Sequence, residues 1–414
     1  MVFSGEKSGT LQIGRLHVVS VNGMQQDLPE RVVEAIKAVV GVGPVPLHDP
    51  CFTKKEWIYV RQCLDSTMVS SIGEFVNEFE EKLRIFTGSA GVVAVINGTA
   101  GLHAALLMAG VESNDEVLMP ALTFVATANA ISYCGARPHF VEVEESSLGI
   151  DVPKLRKYLG QIAERRGRET FNKNTGRRLI AVVPVHLFGH VGDLDELMFV
   201  AAEYGLKVVE DATEALGSRY KHRHAGTFGD FGVLSFNGNK TITTGGGGAI
   251  LVRNIDETPL VRHLTTTSKV VNEWDYGHDQ IGFNYRMPNL NAALGCAQID
   301  SLSQLLAAKQ ELYKLYKSAF RQIDALAVVQ APKHCESNYW LQTLLLNKMA
   351  NGARDEILTT TNAQGFTTRP VWVTMNKLAP YRSCPSMPLS ITESLESRLI
   401  NIPSSSNILL SRDL

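Results

Sequence analysis

The sequence contains no Cys-x-x-Cys pair. Its six cysteines are scattered singly along 414 residues, at positions 51, 63, 134, 296, 335 and 384. Zinc sites and disulfide frameworks both need cysteines at short, regular spacings, so the sequence predicts neither a metal site nor a disulfide-stapled secreted domain. A reducing, cytoplasmic location fits this pattern of cysteine use.

The sequence also lacks an excess of charge of either sign. Its 40 lysines and arginines and 42 aspartates and glutamates give a net charge of −2, which argues against nucleic acid and anionic membranes as partners. The one basic run, residues 164–178, is predicted to be a solvated loop. The first 23 residues lack the continuous apolar core of a signal peptide. The uncharged stretch 117–136 is interrupted by proline and several polar residues, which favours a strand, a loop and a helix over a membrane span.

From about residue 90 to 255, short apolar runs alternate with helical patterns. The predicted strands include "VVAVIN", "EVLMP", "RPHFVEV", "LIAVVPVHLFG", "KVVED", "FGVLSF" and "GAILV", with helices such as "TAGLHAALLMAGV", "ATANAISYCG" and "DLDELMFVAAEYG" between them. This alternation predicts an α/β fold with a mostly parallel central sheet and helices on both faces.

The two ends of the chain differ from this pattern. Residues 1–45 are predicted to form an N-terminal arm and helix, and residues 46–290 a large domain. Residues 288–320 have the pattern of one long helix. The predicted third segment, 291–414, is therefore a linking long helix followed by a small α+β C-terminal domain.

Ligands in such sheets bind beyond the carboxyl ends of the strands, so the residues that follow each strand are the candidates for a site. Gly98, Thr99 and Ala100 follow the first strand and open a helix whose N-terminus would favour a phosphate. Such a turn is more often only a connection between elements. Phe124 follows the next strand, and it could stack on a flat ring or fill the core.

Two charged residues stand in similar positions. Asp211 ends a buried strand, where a carboxylate needs a partner such as a protonated ring nitrogen, an arginine or a helix terminus. Lys240 lies 29 residues later, between an apolar strand and four glycines. Its amine could attack a carbonyl group, although a lone lysine more often extends to the surface.

Each of these signals is weak alone, but their order along the chain is informative. A phosphate turn, a stacking aromatic, a carboxylate for a pyridine nitrogen and a lysine that bonds an aldehyde are the parts that a pyridoxal phosphate site requires.

Several long motifs give a resemblance to a known family. They are "NGTAGLHAALLMAGV", "PALTFVATANAI", "PVHLFGHVGDLDEL", "EDATEALGSRYKHRHAGTFGDFGVLSFNGNKTITTGGGGAI" and "IGFNYRMPNLNAALG". In this order and spacing, over roughly residues 45–405, the chain resembles the sugar-nucleotide aminotransferases of the DegT/DnrJ/EryC1/StrS family. The resemblance implies the type I (aspartate aminotransferase) fold, with the cofactor pyridoxal 5'-phosphate bound by the large domain.

The family's residue roles are carried over by position. Lys240 resembles the lysine that bonds the cofactor, and Asp211 matches the partner of its pyridine nitrogen; these two are the catalytic candidates. The remaining cofactor-binding candidates are Gly98, Thr99 and Ala100 at the phosphate turn, Phe124 on the ring, Glu214 near the 3-hydroxyl, Ser235 at the phosphate, and Asn284.

The resemblance implies further details for individual residues. Asn284 corresponds to an asparagine that reaches the phosphate of the neighbouring subunit, which implies a homodimer with shared sites. Glu214 stands where relatives often carry His or Gln. His186 and Tyr285 are candidates near the site or are packing residues. Lys240 argues against the dehydratases of the family, which carry His instead.

Three segments resemble the subgroup that makes legionaminic acid and, nearby, bacillosamine. They are "PLHDPCFTKKEWIYVRQCLDSTMVSSIGEFVNEFEEKL", "ATANAISYCGARPHF" and "RETFNKNTGRRLIAVVPVHLFGH". This resemblance implies transfer of the glutamate amino group to C4 of a UDP-linked 2-acetamido-2,6-dideoxy-4-keto-hexose for bacterial surface sugars. The alternatives are a GDP- or dTDP-linked 3- or 4-keto sugar, or a non-catalytic regulatory protein with the same fold.

Overall fold

The computed structural model describes residues 21–410 except 271 and 273. Within these ranges, the helices α1–α12 comprise Val21–Val40, Lys54–Asp65, Glu74–Thr87, Gly98–Met108, Ala126–Tyr133, Val152–Ile162, Leu194–Tyr204, Thr258–Thr265, Asn289–Asp300, Leu302–Ala319, Arg354–Ala363 and Ser390–Glu396. The strands β1–β18 comprise Gly91–Val95, Glu116–Pro120, Arg137–Val141, Ala163–Arg166, Glu169–Asn172, Arg178–Val182, Lys207–Asp211, Arg219–Tyr220, Arg223–His224, Phe231–Ser235, Gly248–Val252, Lys269–Val270, Gly277–His278, Leu326–Val328, Cys335–Glu336, Gln342–Leu346, Arg369–Pro370 and Leu399–Ile402.

The central sheet has the predicted, mostly parallel arrangement. Strands β3, β2, β6, β7 and β10 run parallel in that spatial order, and β11 lies antiparallel between β10 and β1. Every residue of β1, β2 and β11 is buried, as expected for a sheet covered on both faces. The carboxyl ends of β1, β2, β7 and β10 therefore meet at one edge of the sheet.

Two details of the prediction are wrong. The basic run 164–178 is not a loop, because β4 and β5 form a hairpin that pairs with the start of β6. The helix predicted over 288–320 is broken at Ser301 into α9 and α10. The break follows Asp300, whose carboxylate accepts a hydrogen bond from Lys82 at 2.7 Å. A tertiary contact of this kind does not appear in helical periodicity.

A second, smaller sheet has the antiparallel order β14-β16-β18-β17. Its core is shared with α1, α10 and α11 and is built from apolar side chains such as Val32, Ile36, Leu312, Leu344 and Ile400. The helix expected near the N-terminus therefore packs on this smaller unit. The expected N-terminal arm lies largely outside the described residues, and the domain boundaries at 45 and 290 stay predictions.

A third group of buried side chains, the interdomain core, joins the two sheets. It consists of Leu122, Val143, Leu148, Leu187, Phe188, Val329, Trp340, Leu341, Val371, Leu395 and Leu399. Its members come both from loops at the carboxyl edge of the large sheet and from the smaller unit. This edge is therefore closed on one side by apolar packing.

None of the helices within the described ranges has both the length and the apolar character that a membrane crossing requires. The uncharged stretch 117–136 contains most of β2, a loop and α5, as predicted.

A fully buried lysine lies where α10 meets the smaller unit. The Lys309 ammonium donates hydrogen bonds to the carbonyl oxygens of Trp340 and Ser404, at 3.1 and 2.8 Å, and to Nε2 of His48 at 2.7 Å. Burial lowers the pKa of Lys309 to about 7. The unfolded chain therefore holds this proton to a higher pH than the folded protein.

We predict that Lys309 makes folding stability rise with pH. Burying the charged amine is unfavourable, and this penalty is present below pH 7 and disappears between pH 7 and the unfolded-state pKa of about 10.4. The slope reaches at most about 1.4 kcal/mol per pH unit. Urea unfolding across this range should show the slope in the native protein and not in K309M. The variant K314M, at an exposed lysine of the same helix, should keep it. A slope retained in K309M would contradict this account.

Candidate active site

A cleft of about 390 Å³ opens at the carboxyl edge of the large sheet. Its size falls within the range of roughly 300–1,000 Å³ that is usual for small-molecule sites. The residues that line it are Asn97, Gly98, Thr99, Leu102, Phe124, Ala126, Thr213, Glu214, Ser235, Asn237, Asn239, Lys240, Trp340 and Trp372. They include six of the residues proposed from the sequence, namely Gly98, Thr99, Phe124, Glu214, Ser235 and Lys240.

Lys240 lies in a tight turn directly after β10. Its N–H donates to the carbonyl oxygen of Asn237 at 3.0 Å. The side chain does not extend to the surface, since only 13% of it is exposed. Its amine lies 3.4 Å from Oε1 of Glu214 and 3.8 Å from the centre of the Trp340 ring. The Lys240 amine is therefore largely, but not fully, buried, with one anionic and one aromatic neighbour.

Glu214 connects this amine to the backbone of Phe188. Its Oε2 accepts a hydrogen bond from the N–H of Phe188 at 2.9 Å. Phe188 has φ 56° and ψ 14°, a left-handed conformation that is uncommon for a large side chain and that often marks functional sites. Burial raises the pKa of Glu214, and the charge of Asp211 adds to this effect. The Lys240 charge and the Phe188 N–H offset it only in part.

The predicted phosphate turn lies against Ser235. A Cβ placed on Gly98 would lie 3.0 Å from the Thr213 methyl group and 3.1 Å from Cβ of Ser235. Helix α4 begins here, and the N–H groups of its first turn have no intrahelical carbonyl to bind. The Ala100 N–H is already donated to the Asn97 side chain at 2.8 Å. The free donors of this turn therefore centre on Gly98 and Thr99.

Asp211 is held firmly just outside the cleft wall. Its Oδ2 accepts from the Thr127 hydroxyl at 2.7 Å, and its Oδ1 accepts from the Thr213 hydroxyl at 2.7 Å. Thr213 lines the cleft, whereas Asp211 itself does not. The two threonines fix the orientation of the carboxylate, and its charge acts on Glu214.

Aromatic rings form one wall of the cleft. Phe124 is 50% exposed, so it does not fill the core. Its ring lies 5.7 Å from Trp372, which lies 5.6 Å from Phe188. An exposed ring face in a cleft is suited to stacking on a flat ligand.

Three further candidates from the sequence lie outside the cleft wall. His186 binds Glu210 at 2.9 Å, and Tyr285 binds Nδ1 of His103 at 3.1 Å. Burial alone would raise the pKa of Glu210, but His186 and two backbone N–H groups lower it. Asn284 is exposed and does not face the cleft of its own chain. The hydrogen bonds of His186 to Glu210 and of Tyr285 to His103 therefore explain the positions of these two side chains without a ligand.

Sequence reasoning missed Trp340 and Trp372, as well as the threonines at 127 and 213. The two tryptophans belong to the smaller unit, about 100 and about 130 residues beyond Lys240. They were visible only as the aromatic ends of "NYW" and "RPVW". The scarcity of tryptophan, with four in the chain, is the one signal that could have drawn attention to them.

The comparisons with known proteins agree with this lysine-centred chemistry, which is that of enzymes using pyridoxal phosphate. The chain belongs to the DegT/DnrJ/EryC1/StrS aminotransferase family, which it matches over residues 50–411. It is an aminotransferase, and its cofactor is pyridoxal phosphate. The roles of individual residues stay predictions.

Two relatives and one solved structure illustrate the similarity. GDP-perosamine synthase of Escherichia coli O157:H7 is 35% identical over 361 residues, 87% of this chain and 93% of that protein. The spore coat polysaccharide biosynthesis protein SpsC of Bacillus subtilis is 33% identical over 327 residues, 76% of this chain and 79% of that protein. The aminotransferase TlmJ of Streptoalloteichus hindustanus superposes with a TM-score of 0.80 at 25% identity, covering 90% of this chain and 96% of that one. The predicted fold is thereby confirmed.

The chemistry of the cleft fits the cofactor. The absence of a side chain at Gly98 leaves a small space beside the Ser235 hydroxyl, at the start of α4. This hydroxyl and the N–H groups at the start of α4 are suitable donors for a phosphate group. The open Phe124 ring and the Lys240 amine supply the remaining requirements, a stacking face and a nucleophile.

We predict that the approach of β11 to the phosphate turn requires glycine at position 248. A Cβ there would lie 2.7 Å from the carbonyl carbon of Asn97 and 2.8 Å from the nitrogen of Gly98. G248A should therefore lose about 1–3 kcal/mol of stability through overpacking. It should also bind pyridoxal phosphate more weakly because the turn is displaced. Urea unfolding and absorbance titration measure the two effects.

The variant G246A is the matched control. No atom lies within 4 Å of a Cβ placed there, so it should change stability by less than about 0.5 kcal/mol. Equal behaviour of the two variants would show that the contact at 248 does not shape the turn.

Proposed function

We propose that this protein transfers the amino group of glutamate to the keto carbon of a nucleotide-linked sugar, and that the nucleotide is GDP. The observation that carries the proposal is the largely buried side chain of Lys240, which lines a cleft that also contains a helix N-terminus and a half-exposed aromatic ring. The choice of GDP rests on the similarity to a GDP-perosamine synthase along nearly the whole chain. The similarity to SpsC favours a role in polysaccharide synthesis.

The cofactor, when bound, supplies an electron sink that stabilises negative charge on the substrate carbon. The chain supplies the binding groups and moves the proton. Gly98, Thr99 and Ser235 would hold the phosphate, and Phe124 would stack on the ring. Asp211, oriented by its two threonines, would keep the pyridine nitrogen protonated.

Lys240 would act as both nucleophile and base. Its amine would bond the cofactor in the resting enzyme. When a substrate amine takes its place, the free Lys240 amine would accept the proton from the α-carbon of the amino donor. The same amine would then deliver a proton to C4′ of the cofactor. Glu214 lies within 3.4 Å to orient the amine.

We predict that the visible absorption band of the pyridoxal phosphate-loaded protein will be bleached by glutamate, because the amino group passes to the cofactor. With added pyridoxal phosphate, K240A should show only the absorption of the unbonded cofactor, without the shift that bonding to the lysine amine causes. Its turnover should be negligible. Normal turnover by K240A would refute the assignment of Lys240. A band that glutamate leaves unchanged would refute glutamate as the donor.

The same spectral assay identifies the second substrate. Return of the band on adding a keto sugar nucleotide reports transfer of the amine. We expect GDP-linked 4-keto-6-deoxy sugars to restore it. The UDP-linked 2-acetamido-2,6-dideoxy-4-keto-hexose is the alternative, supported by the legionaminic acid-like segments of the sequence. If only the UDP-linked sugar restored the band, the nucleotide of the substrate would be UDP and not GDP. If only dTDP-linked sugars restored it, both GDP and UDP would be excluded as the nucleotide.

We also propose a homodimer in which Asn284 completes the site of the partner. Asn284 is exposed, and the same loop exposes Ile281, with Trp274 and Tyr276 close by in sequence. Trp57 and Ile72 are likewise exposed, at 78% and 61%. Such uncovered apolar side chains are typical of an interface.

We predict complementation between K240A and N284A, each of which should be poorly active alone. Mixed dimers would contain one intact site out of two, so unfolding and refolding an equal mixture should recover about a quarter of native turnover. Recovery is measured as keto-sugar amination. Mixing native protein with the double variant K240A/N284A controls for subunit exchange, because mixed dimers would then have no intact site and turnover should fall to about a quarter of native instead of about half. If the turnover of the K240A and N284A mixture equals only the sum of the turnovers of the two variants measured separately, Asn284 does not serve the neighbouring site.

A further inference from the structure

The indole of Trp340 has an unusual set of contacts for a buried tryptophan. Only 3% of the residue is exposed, and its ring face lies 3.8 Å from the Lys240 amine. Its Nε1–H donates to the carbonyl oxygen of Asn239 at 2.7 Å. One side chain of the smaller unit therefore contacts both the amine of Lys240 and the backbone of the turn that presents it.

The position of Trp340 is itself fixed from both sides of its backbone. Its N–H donates to Oδ1 of Asn338 at 2.9 Å, and its carbonyl oxygen accepts from Lys309 at 3.1 Å. The Asn338 amide also donates to the backbone oxygen of Glu214 at 2.9 Å. Trp340 and Glu214, the two neighbours of the Lys240 amine, are thus held together through a single asparagine.

We propose that Trp340 is a positioning residue that holds the Lys240 ammonium on its ring face whenever this amine is not bonded to the cofactor. A cation over an indole face is stabilised by the negative charge density of the ring, most strongly when both are shielded from water. The proposal rests on the assignment of Lys240 in the proposed function, and it adds a defined resting place for the amine between bond formation and proton transfer.

Other charges act on the same amine. Glu214 lies 3.4 Å from the amine, and Asp211, at the end of β7, acts on Glu214. The His48 ring centre lies 6.5 Å from that of Trp340, and Lys309 contacts both His48 and the Trp340 carbonyl oxygen. The test must therefore separate the ring from these charges, which substitutions at position 340 leave in place.

The experiment measures the amine directly in the cofactor-free protein. Reductive methylation of Lys240 with formaldehyde, quantified by peptide mass spectrometry from pH 6 to pH 11, gives the pH midpoint of amine reactivity. W340L removes the ring face, so the midpoint should move to lower pH. At a pH well below the midpoint, the labelling rate should rise by roughly 2- to 30-fold, which is the range expected for a lost cation–π contact.

Two further variants keep the test sharp. W340F retains a weaker ring face and should give a smaller shift of the midpoint in the same direction. Because phenylalanine keeps an aromatic ring at this position, W340F serves as the test variant if W340L folds poorly. W372L removes the other cleft indole, whose ring contacts are with Phe124 and Phe188, and it should leave the midpoint unchanged.

A midpoint that is the same in W340L, W340F and the native protein would overturn the proposal. So would an equal shift in W372L. A uniform rise in labelling at every pH without a change of midpoint would show that Trp340 only shields Lys240, and it too would overturn the proposal. No cofactor or sugar enters this assay, so its failure is distinct from failure of the aminotransferase assay.

Discussion

The site depends on holding one ammonium group, that of Lys240, in a cleft where only 13% of its side chain is exposed. An isolated buried charge is strongly unfavourable, so the site must supply compensating groups. It supplies Glu214 from the loop after β7 and the face of Trp340 from the smaller unit. Because these come from different parts of the chain, the two units must pack in one arrangement for the amine to be accommodated. The interdomain core, with Phe188 and Trp340 among its members, provides that packing.

The large sheet brings the other groups to the same place for geometric reasons. Parallel strands end at one edge, so residues after β1, β2, β7 and β10 converge although they are distant in sequence. Antiparallel β11 then passes so close to the turn at Asn97 and Gly98 that position 248 has no room for a side chain. Gly248 thus has a structural function beside the cofactor site, because the absence of a side chain lets β11 lie against the phosphate turn.

The sequence was most informative where local pattern and position in the sheet determine the outcome. The strands β1, β2, β3, β6, β7, β10 and β11 of the central sheet and the helices α1, α4, α5 and α7 could be predicted. So could the convergence of Gly98, Phe124, Glu214, Ser235 and Lys240. Tertiary contacts account for what could not. The break at Ser301 follows an ion pair, and the basic run became a hairpin because β6 offered a free neighbouring position. Trp340 and Trp372 enter the cleft from a unit whose docking no local pattern describes. The N–H donors available at the phosphate turn also differ from the predicted set, because the Ala100 N–H is already donated to the Asn97 side chain.

The central claim is that Lys240 is the amine that bonds the cofactor. The structure contains a second candidate amine, that of Lys309, whose pKa burial lowers to about 7, but this residue is fully buried and does not line the cleft. The direct measurement is borohydride reduction of the protein loaded with pyridoxal phosphate, followed by peptide mapping. The account predicts one pyridoxyl group per chain, on the peptide that contains Lys240. A label on Lys309, or stoichiometric labelling elsewhere with Lys240 unmodified, would contradict it.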